Sequence, residues 1–345
     1  MREYKLCLLG WGNVNRRLFE LLEARRDQLQ DQYGFSPRIT GIATRRLGWR
    51  VAPEGFHSHS LPRIGVRSAA AAPSPGNLRE WLKAAQADVL FEATSLNAQT
   101  GQPAIDHIRA ALELGAHAIT ANKGPIVHGY EELSRLAAKQ GCRFLFESTV
   151  MDGVPIFSTF RESLPLVRVE GFRGILNSTT NLMLTQMERG LSFKEALGKA
   201  RDIGVAESDP ADDIEAWDAA VKVAVLARVV MRMAVDLKQI DRHGIGHLTG
   251  EMVREARAAG HPYKLVCRAS RKGHSLAASV RPEMVPLADP LAHVPGTSSI
   301  VYFETDIFPG LAISEIDPTL DTTAYGMLAD FVKAVGSNWQ KFAFA

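Results

Sequence analysis

Cysteine is scarce in this sequence: Cys7, Cys142 and Cys267 are an odd number, far apart, in apolar or strand-like surroundings. That pattern excludes a disulfide framework and a cysteine zinc site. It suits core packing in a reducing compartment, so the cytoplasm is the expected location. The ten histidines form no HExxH or comparable cluster, which removes that class of metal centre. Charge of one sign is also missing: 40 Lys and Arg face 38 Asp and Glu, a net charge of +2. So small a surplus is no footprint for nucleic acid or an anionic membrane, and neither partner is expected. No apolar run approaches eighteen residues, and the N-terminus enters a strand-like stretch at once, so neither a transmembrane helix nor a signal peptide is expected.

What is present is an ordinary globular composition, 46% apolar and 23% charged over 345 residues, enough for two domains. Strand-like and helix-like segments alternate as far as about residue 150, which predicts an α/β fold with a Rossmann-type, mostly parallel sheet. Residues 47–78 interrupt this with Gly, Pro, Ser and Ala and read as an irregular excursion; His57 and His59 within it are given no role. Tyr4–Leu9 is an apolar strand, and a helix follows to about Gln32. Gly10-Trp11-Gly12-Asn13-Val14-Asn15 joins them, in the context a dinucleotide fingerprint requires. Gly10, Gly12, Asn13 and Val14 are therefore candidate cofactor residues, an ordinary turn being the alternative. Asn15 stands where the third glycine would be.

A second strand, Arg38–Ala43, runs into Thr44-Arg45-Arg46. An NAD enzyme commonly places an acid there for the ribose 2′-OH; two guanidiniums suit a 2′-phosphate instead. NADP is the expected cofactor, with NAD the alternative. Thr94 and Ser95, after the strand Asp88–Ala93, lie where small hydroxyl residues contact a cofactor. Lys123, in Asn122-Lys123-Gly124-Pro125, follows the strand His117–Thr120. The carboxyl ends of strands in an open α/β sheet bind ligands, so this lysine reads either as functional or as a solvated turn residue.

The second half predicts an α+β domain over residues 151–317 that binds substrate, carries catalysis and dimerises. The first domain is 1–150, with 318–345 returning to pack on it. A long strand, Leu166–Leu176, ends in Asn177-Ser178-Thr179-Thr180-Asn181, which serves as a helix cap, a ligand site or both. Ser192 and Glu195 form a capping-box pattern. Asp209-Pro210 starts a long helix predicted to reach about Ala234, in which Asp218 and Lys222 share one face. The pair is either a structural ion pair or a carboxylate and an amine presented to a small polar substrate, with Glu207 adding a second carboxylate. Further strands are predicted at Leu265–Ala269, Ile300–Glu304 and Leu311–Ile316. A sheet covered by helices on one face leaves the other apolar, so a homodimer is expected.

Three motifs together resemble homoserine dehydrogenases of the short form, without the C-terminal ACT domain of longer members. Gly174 to Asn181 resembles the family's G-I-L-N-G-T-T-N, Glu207 to Lys222 its E-A-D-P-x-x-D-x-x-G-x-D-A-A-x-K, and Ala121-Asn122-Lys123 its A-N-K. The resemblance implies NADPH-dependent reduction of L-aspartate 4-semialdehyde to L-homoserine, in amino-acid biosynthesis toward threonine and methionine. It implies that Glu207 binds the substrate ammonium group, that Asp213, Asn177, Thr179 and Thr180 help hold the substrate, and that Asp218 orients substrate or water. It makes Lys123 and Lys222 the candidate proton-transfer lysines and sets Thr94 and Ser95 beside the nicotinamide. It further implies a structural monovalent cation, Na+ or K+, on Glu147 and the carbonyls of Val150, Asp152 and Val154.

Departures from the motifs are Asn15, Ser178 and Ala216 at glycine positions, Met151-Asp152-Gly153 for G-x-G, and Glu315 to Asp321 in place of a glycine-rich loop. Asp218, one turn from Lys222, favours the charged lysine; this suits Lys222 to an electrostatic clamp and leaves Lys123 as the better proton carrier. The alternative is a related oxidoreductase acting on another small aldehyde or hydroxy acid. An alternative of another class is a nucleotide-sensing scaffold.

Overall fold

The computed structural model describes residues 2–57, 61, 75–206 and 209–336. The chain divides into two compact units: one runs to Gly153 and resumes at Thr319, the other is Val154–Pro318.

The first unit is built on β1 (Arg2–Leu9), β2 (Phe35–Thr44), β3 (Gly48–Val51), β4 (Val89–Glu92), β5 (His117–Thr120) and β6 (Phe144–Leu145), in the spatial order β3-β2-β1-β4-β5-β6. Only the β2–β3 pair is antiparallel. Central strands of such a sheet are covered on both faces, so they read as unbroken apolar runs. In β1, Leu6 and Leu8 enter one core with Phe91 and Phe331, while Cys7 and Leu9 enter another with Trp81 and Leu90. The helix Leu320–Val335 supplies Phe331, whose ring meets Phe35 at 5.3 Å and Phe91 at 6.0 Å, both edge-on. Burying a side chain of that size contributes roughly 2–3 kcal/mol.

Two local expectations change. The helix predicted to reach Gln32 is broken at Arg25 into Asn13–Ala24 and Arg26–Tyr33. The irregular excursion begins as a hairpin: β3 pairs with Gly41–Thr44, and Trp49 packs on Trp81 with ring centroids 5.4 Å apart. Residues 58–60 and 62–74 of that stretch, His59 included, lie outside the described residues.

The second unit holds β7 (Val169–Ile175), β8 (Asp241–Arg242), β9 (Tyr263–Lys272), β10 (Ser275–Met284), β11 (Ser299–Thr305) and β12 (Leu311–Glu315), ordered β12-β11-β7-β9-β10-β8. The pairs are antiparallel except β10 with β8. β10 escaped prediction because its Ser-Leu-Ala-Ala-Ser-Val-Arg-Pro-Glu-Met composition is poor in β-branched and aromatic residues. Its Pro282 sits opposite Leu265. Phe172, Cys267, Val280, Val301 and Phe303 are buried on one face.

The other face is not the open apolar surface expected for dimerisation: Ile175, Val266 and Ile300 on it are buried with Val285, Leu291 and Val294, and beside them it is charged. Arg268 pairs with Glu283 at 2.7 Å, Arg173 pairs with Asp289, and the Arg173 guanidinium lies 5.0 Å from the Tyr302 ring centroid.

The long helix expected from Asp209 to about Ala234 is two helices, Ala211–Ile214 and Trp217–Val229. The break is Ala216, buried at φ +65° in the left-handed region that favours glycine. The carbonyls released there are taken up: Ile245 N–H donates to Ile214 O at 3.0 Å, and Arg242 donates to Glu215 O. Arg242 then lies 3.7 Å from the Trp217 ring centroid.

Candidate active site

In the first unit the strand order reverses between β1 and β4, the place where an open α/β sheet binds its ligand. Gly10, after β1, has φ +90°, and a Cβ there would lie 2.3 Å from Ala93 O. Gly12 caps the helix Asn13–Ala24 in an extended conformation, with nothing within 4 Å of a built Cβ. Gly12 and Asn13 are exposed and Val14 is half-buried, so the helix N-terminus is open to an anion. Asn15 is fully buried and donates to Gly10 O at 2.7 Å and Leu9 O at 3.2 Å. It holds the glycine turn with side-chain bonds where a glycine would have allowed only close packing. Arg45 and Arg46 are exposed on the β2–β3 turn, and Thr44 accepts from Leu47 N–H at 2.9 Å.

Sequence reasoning missed Glu92. This fully buried carboxylate ends β4, accepts from Thr94 N–H at 3.1 Å and from the Thr94 hydroxyl, and accepts from Thr120 Oγ1 at 2.7 Å. An acid inside Val-Leu-Phe-Glu-Ala was the visible signal. Asn122 adds a second tie: its amide donates to Thr94 O at 3.3 Å and Ser95 O at 3.4 Å, while its Oδ1 accepts from Gly124 N–H at 3.0 Å. Together they fix the loop carrying Thr94 and Ser95. Lys123 is the half-buried residue just ahead of the helix Gly124–Lys139, whose Pro125 stiffens the first turn.

The second unit assembles Asn177, Asp213, Asp218 and Lys222. Asn177 Oδ1 caps the helix Ser178–Glu188, accepting from Thr180 N–H and Thr180 Oγ1, both at 2.9 Å. Its amide faces two acids, donating to Asp213 Oδ1 at 2.6 Å and Asp218 Oδ2 at 3.1 Å. Asp218 holds Lys222 Nζ at 2.9 Å, and that ammonium donates to Leu176 O at 2.7 Å. Burial, with Asp218 adding to it, pushes the Asp213 carboxyl above the usual carboxylate range. Thr179 donates to Val205 O at 3.3 Å. The arrangement offers two acids and one amine to a polar ligand. Glu207 lies outside the described residues.

Behind this row, Asn181 donates to Gly296 O at 2.9 Å, Val294 O at 3.2 Å and Ser298 O at 3.3 Å. Buried Lys264 donates to Asn181 Oδ1 at 3.1 Å and Val294 O at 2.6 Å. Burial lowers the Lys264 pKa to about 8 against the pull of Glu188. A lysine flanked by apolar strand residues was the missed signal.

The cation expected on Glu147 meets an obstacle. Lys333 Nζ stands 3.3 Å from Glu147 Oε2, the Asp152 carboxylate accepts from Thr323 Oγ1 at 2.6 Å, and Val154 O accepts from Ile156 N–H at 2.8 Å. The Glu147 carboxylate is thus already paired with an ammonium.

The family model for homoserine dehydrogenase matches residues 155–332, and that for the homoserine dehydrogenase NAD-binding domain matches 10–147. The chain belongs to the homoserine dehydrogenase family. It is similar to an NAD(+)-dependent homoserine dehydrogenase of Pseudomonas canavaninivorans, 35% identical over 96% of both chains. A homoserine dehydrogenase of Methanocaldococcus jannaschii is 32% identical over 96% of this chain and 98% of its own. Among solved structures, a homoserine dehydrogenase from Thiobacillus denitrificans superposes with a TM-score of 0.81 at 26% identity, over 97% of this chain and 73% of its own. The family is one of NAD(P)-dependent oxidoreductases of amino-acid biosynthesis, and residues 10–147 match its NAD-binding domain. No described helix is long and apolar enough to cross a membrane.

Proposed function

We propose that this chain interconverts L-aspartate 4-semialdehyde and L-homoserine with NADPH as the preferred reductant. The observation that carries the reading is the Asn177-centred row, in which one amide holds Asp213 and Asp218 and Asp218 holds Lys222. A small amino-acid substrate needs a carboxylate for its ammonium group and donors for its own carboxylate. Glu207 and Asp213 are assigned to the first; Thr179, Thr180 and the start of the helix Ser178–Glu188 to the second. Asp218 orients the reacting oxygen, and Lys222 stabilises negative charge developing on it. The bound dinucleotide supplies the hydride that turns the aldehyde carbon into an alcohol carbon. Lys123 delivers the proton to the oxygen, since a lysine, unlike an arginine, can give one up.

For the cofactor, Gly10, Gly12, Asn13 and Val14 take the pyrophosphate, Thr94, Ser95 and Lys123 lie toward the nicotinamide, and Arg45 and Arg46 grip a 2′-phosphate from a turn without an acid. NAD preference is the second reading, favoured by the NAD(+)-dependent relative. We also propose a homodimer, supported by exposed Leu166, Ile307 and Phe308 flanking the Arg168–Asp306 bonds. A cytoplasmic location suits three buried free thiols. The deciding experiment follows oxidation of NADPH and of NADH at 340 nm with aspartate semialdehyde and with a panel of other small aldehydes. Failure to oxidise either cofactor with the semialdehyde would end this reading.

A further inference from the structure

The segment after β6 and the helix Leu320–Val335, both in the first unit, enclose two acids. The side chains of Glu147 and Asp330 are each 1% exposed, and Glu147 N–H donates to Asp330 Oδ2 at 2.7 Å. Two buried carboxylates side by side require positive charge. Lys333, 13% exposed, reaches both, with Nζ 3.3 Å from Glu147 Oε2 and 3.9 Å from Asp330 Oδ1.

The surroundings leave little freedom to admit another cation. A Cβ on Gly153 would lie 2.2 Å from Thr322 O and one on Gly326 2.8 Å from Gly153 Cα, so segment and helix meet backbone to backbone. Ser148 Oγ donates to Thr323 O at 2.7 Å, and Thr323 Oγ1 donates to Asp152 Oδ1 at 2.6 Å. A metal ion on Glu147 would have to sit against the ammonium, and like charges at such range repel strongly where water is excluded.

We propose that the Lys333 ammonium is the resident cation of this site, tethered to the chain, and that the protein requires no monovalent metal ion there. Lysine is suited to it as a compact point charge with three donors. The proposal concerns charge balance in the first unit and does not depend on which aldehyde is reduced.

The test compares the thermal midpoint and NADPH affinity in KCl, NaCl and choline chloride at equal ionic strength. The wild-type protein is expected to be indifferent to the exchange. Lys333→Met is expected to lose roughly 10 °C in choline, as taking the ammonium from beside two buried acids would cause, and to recover much of it in K+ or Na+. Adding Glu147→Gln should remove the ion dependence and part of the loss, the remainder belonging to Asp330. A wild-type midpoint or affinity that falls when metal ions are withdrawn overturns the proposal, as does Lys333→Met matching wild type in choline. The wild-type series decides the matter even if Lys333→Met does not fold.

Discussion

Asn177→Ala tests the architecture of the site most directly, because one side chain caps a helix and spaces two acids. Losing the bond from Thr180 N–H at 2.9 Å removes an N-cap, at a cost of about 1 kcal/mol. Losing the amide that serves Asp213 at 2.6 Å and Asp218 at 3.1 Å removes two charge-assisted bonds, each worth about 1.5–3 kcal/mol when fully buried. Asp218 is 20% exposed, so water replaces part of this, and a total of about 3 kcal/mol is expected. For a unit of this size that is roughly 6–12 °C. Calorimetry should show it in the transition of the second unit, read as a shift in midpoint because a two-unit chain need not unfold in one step.

Asn177→Asp is the control: it keeps a capping oxygen but turns the donor into a third acid. Like charges about 3 Å apart at an effective dielectric near 20 repel by about 5 kcal/mol. This variant should be worse than Asn177→Ala at pH 8 and should recover as pH falls and a carboxylate takes a proton. Asn177→Ala melting within 1 °C of wild type, or Asn177→Asp matching wild type at pH 8, would refute the reasoning.

Four other outcomes are expected. Lys264 has a folded-state pKa of about 8, below the 10.5 ordinary for a lysine, so the unfolded chain binds that proton more tightly. Stability of wild type relative to Lys264→Met should therefore be flat at low pH and rise by roughly 3 kcal/mol from about pH 7.5 to 10.5; parallel denaturant midpoints across pH would reject this. Ala216→Gly should gain about 0.5–1 kcal/mol in denaturant unfolding by relieving a left-handed alanine. Lys123→Ala should lower kcat about 10²-fold or more with NADPH affinity near normal, measured by steady-state kinetics and fluorescence titration. Arg45→Ser should shift the ratio of kcat/KM values toward NADH, and an unchanged ratio would remove the 2′-phosphate role.

Much of this was legible from local pattern. The Ser192–Glu195 capping box forms as read, and Asp218 and Lys222 meet at 2.9 Å because four residues make one helical turn. The parallel sheet was visible from short apolar runs such as residues 6–9 and 89–91 alternating with helical segments. Less legible were features in which a distant partner decides. The helix break at Ala216 depends on Ile245 and Arg242 taking the freed carbonyls. The charged sheet face depends on pairs such as Arg173 with Asp289, which no periodicity reveals. Glu92 passed unremarked inside the predicted strand Asp88–Ala93 and Lys264 just ahead of Leu265–Ala269, and only their partners show what they hold.

The glycines absent from the motifs show how one backbone shape can be held by different chemistry. Ser178 opens a helix, where no left-handed conformation is needed, so its glycine was dispensable. Asn15 stands where glycine would permit close approach, and its two bonds to the carbonyls of Leu9 and Gly10 hold the turn instead. Met151, at a glycine position of the motif, takes φ +55°, and Asp152 beside it takes +50° and is anchored by Thr323. Ala216 keeps φ +65° with no side-chain bond of its own. Freedom of the chain has been exchanged for fixed side-chain bonds at Asn15 and Asp152, whereas at Ala216 the strain is carried by the packing around it. Of the glycine positions in these motifs, Ala216 and Met151 are therefore the ones at which restoring glycine should stabilise, while Asn15→Gly should loosen the turn that faces the dinucleotide.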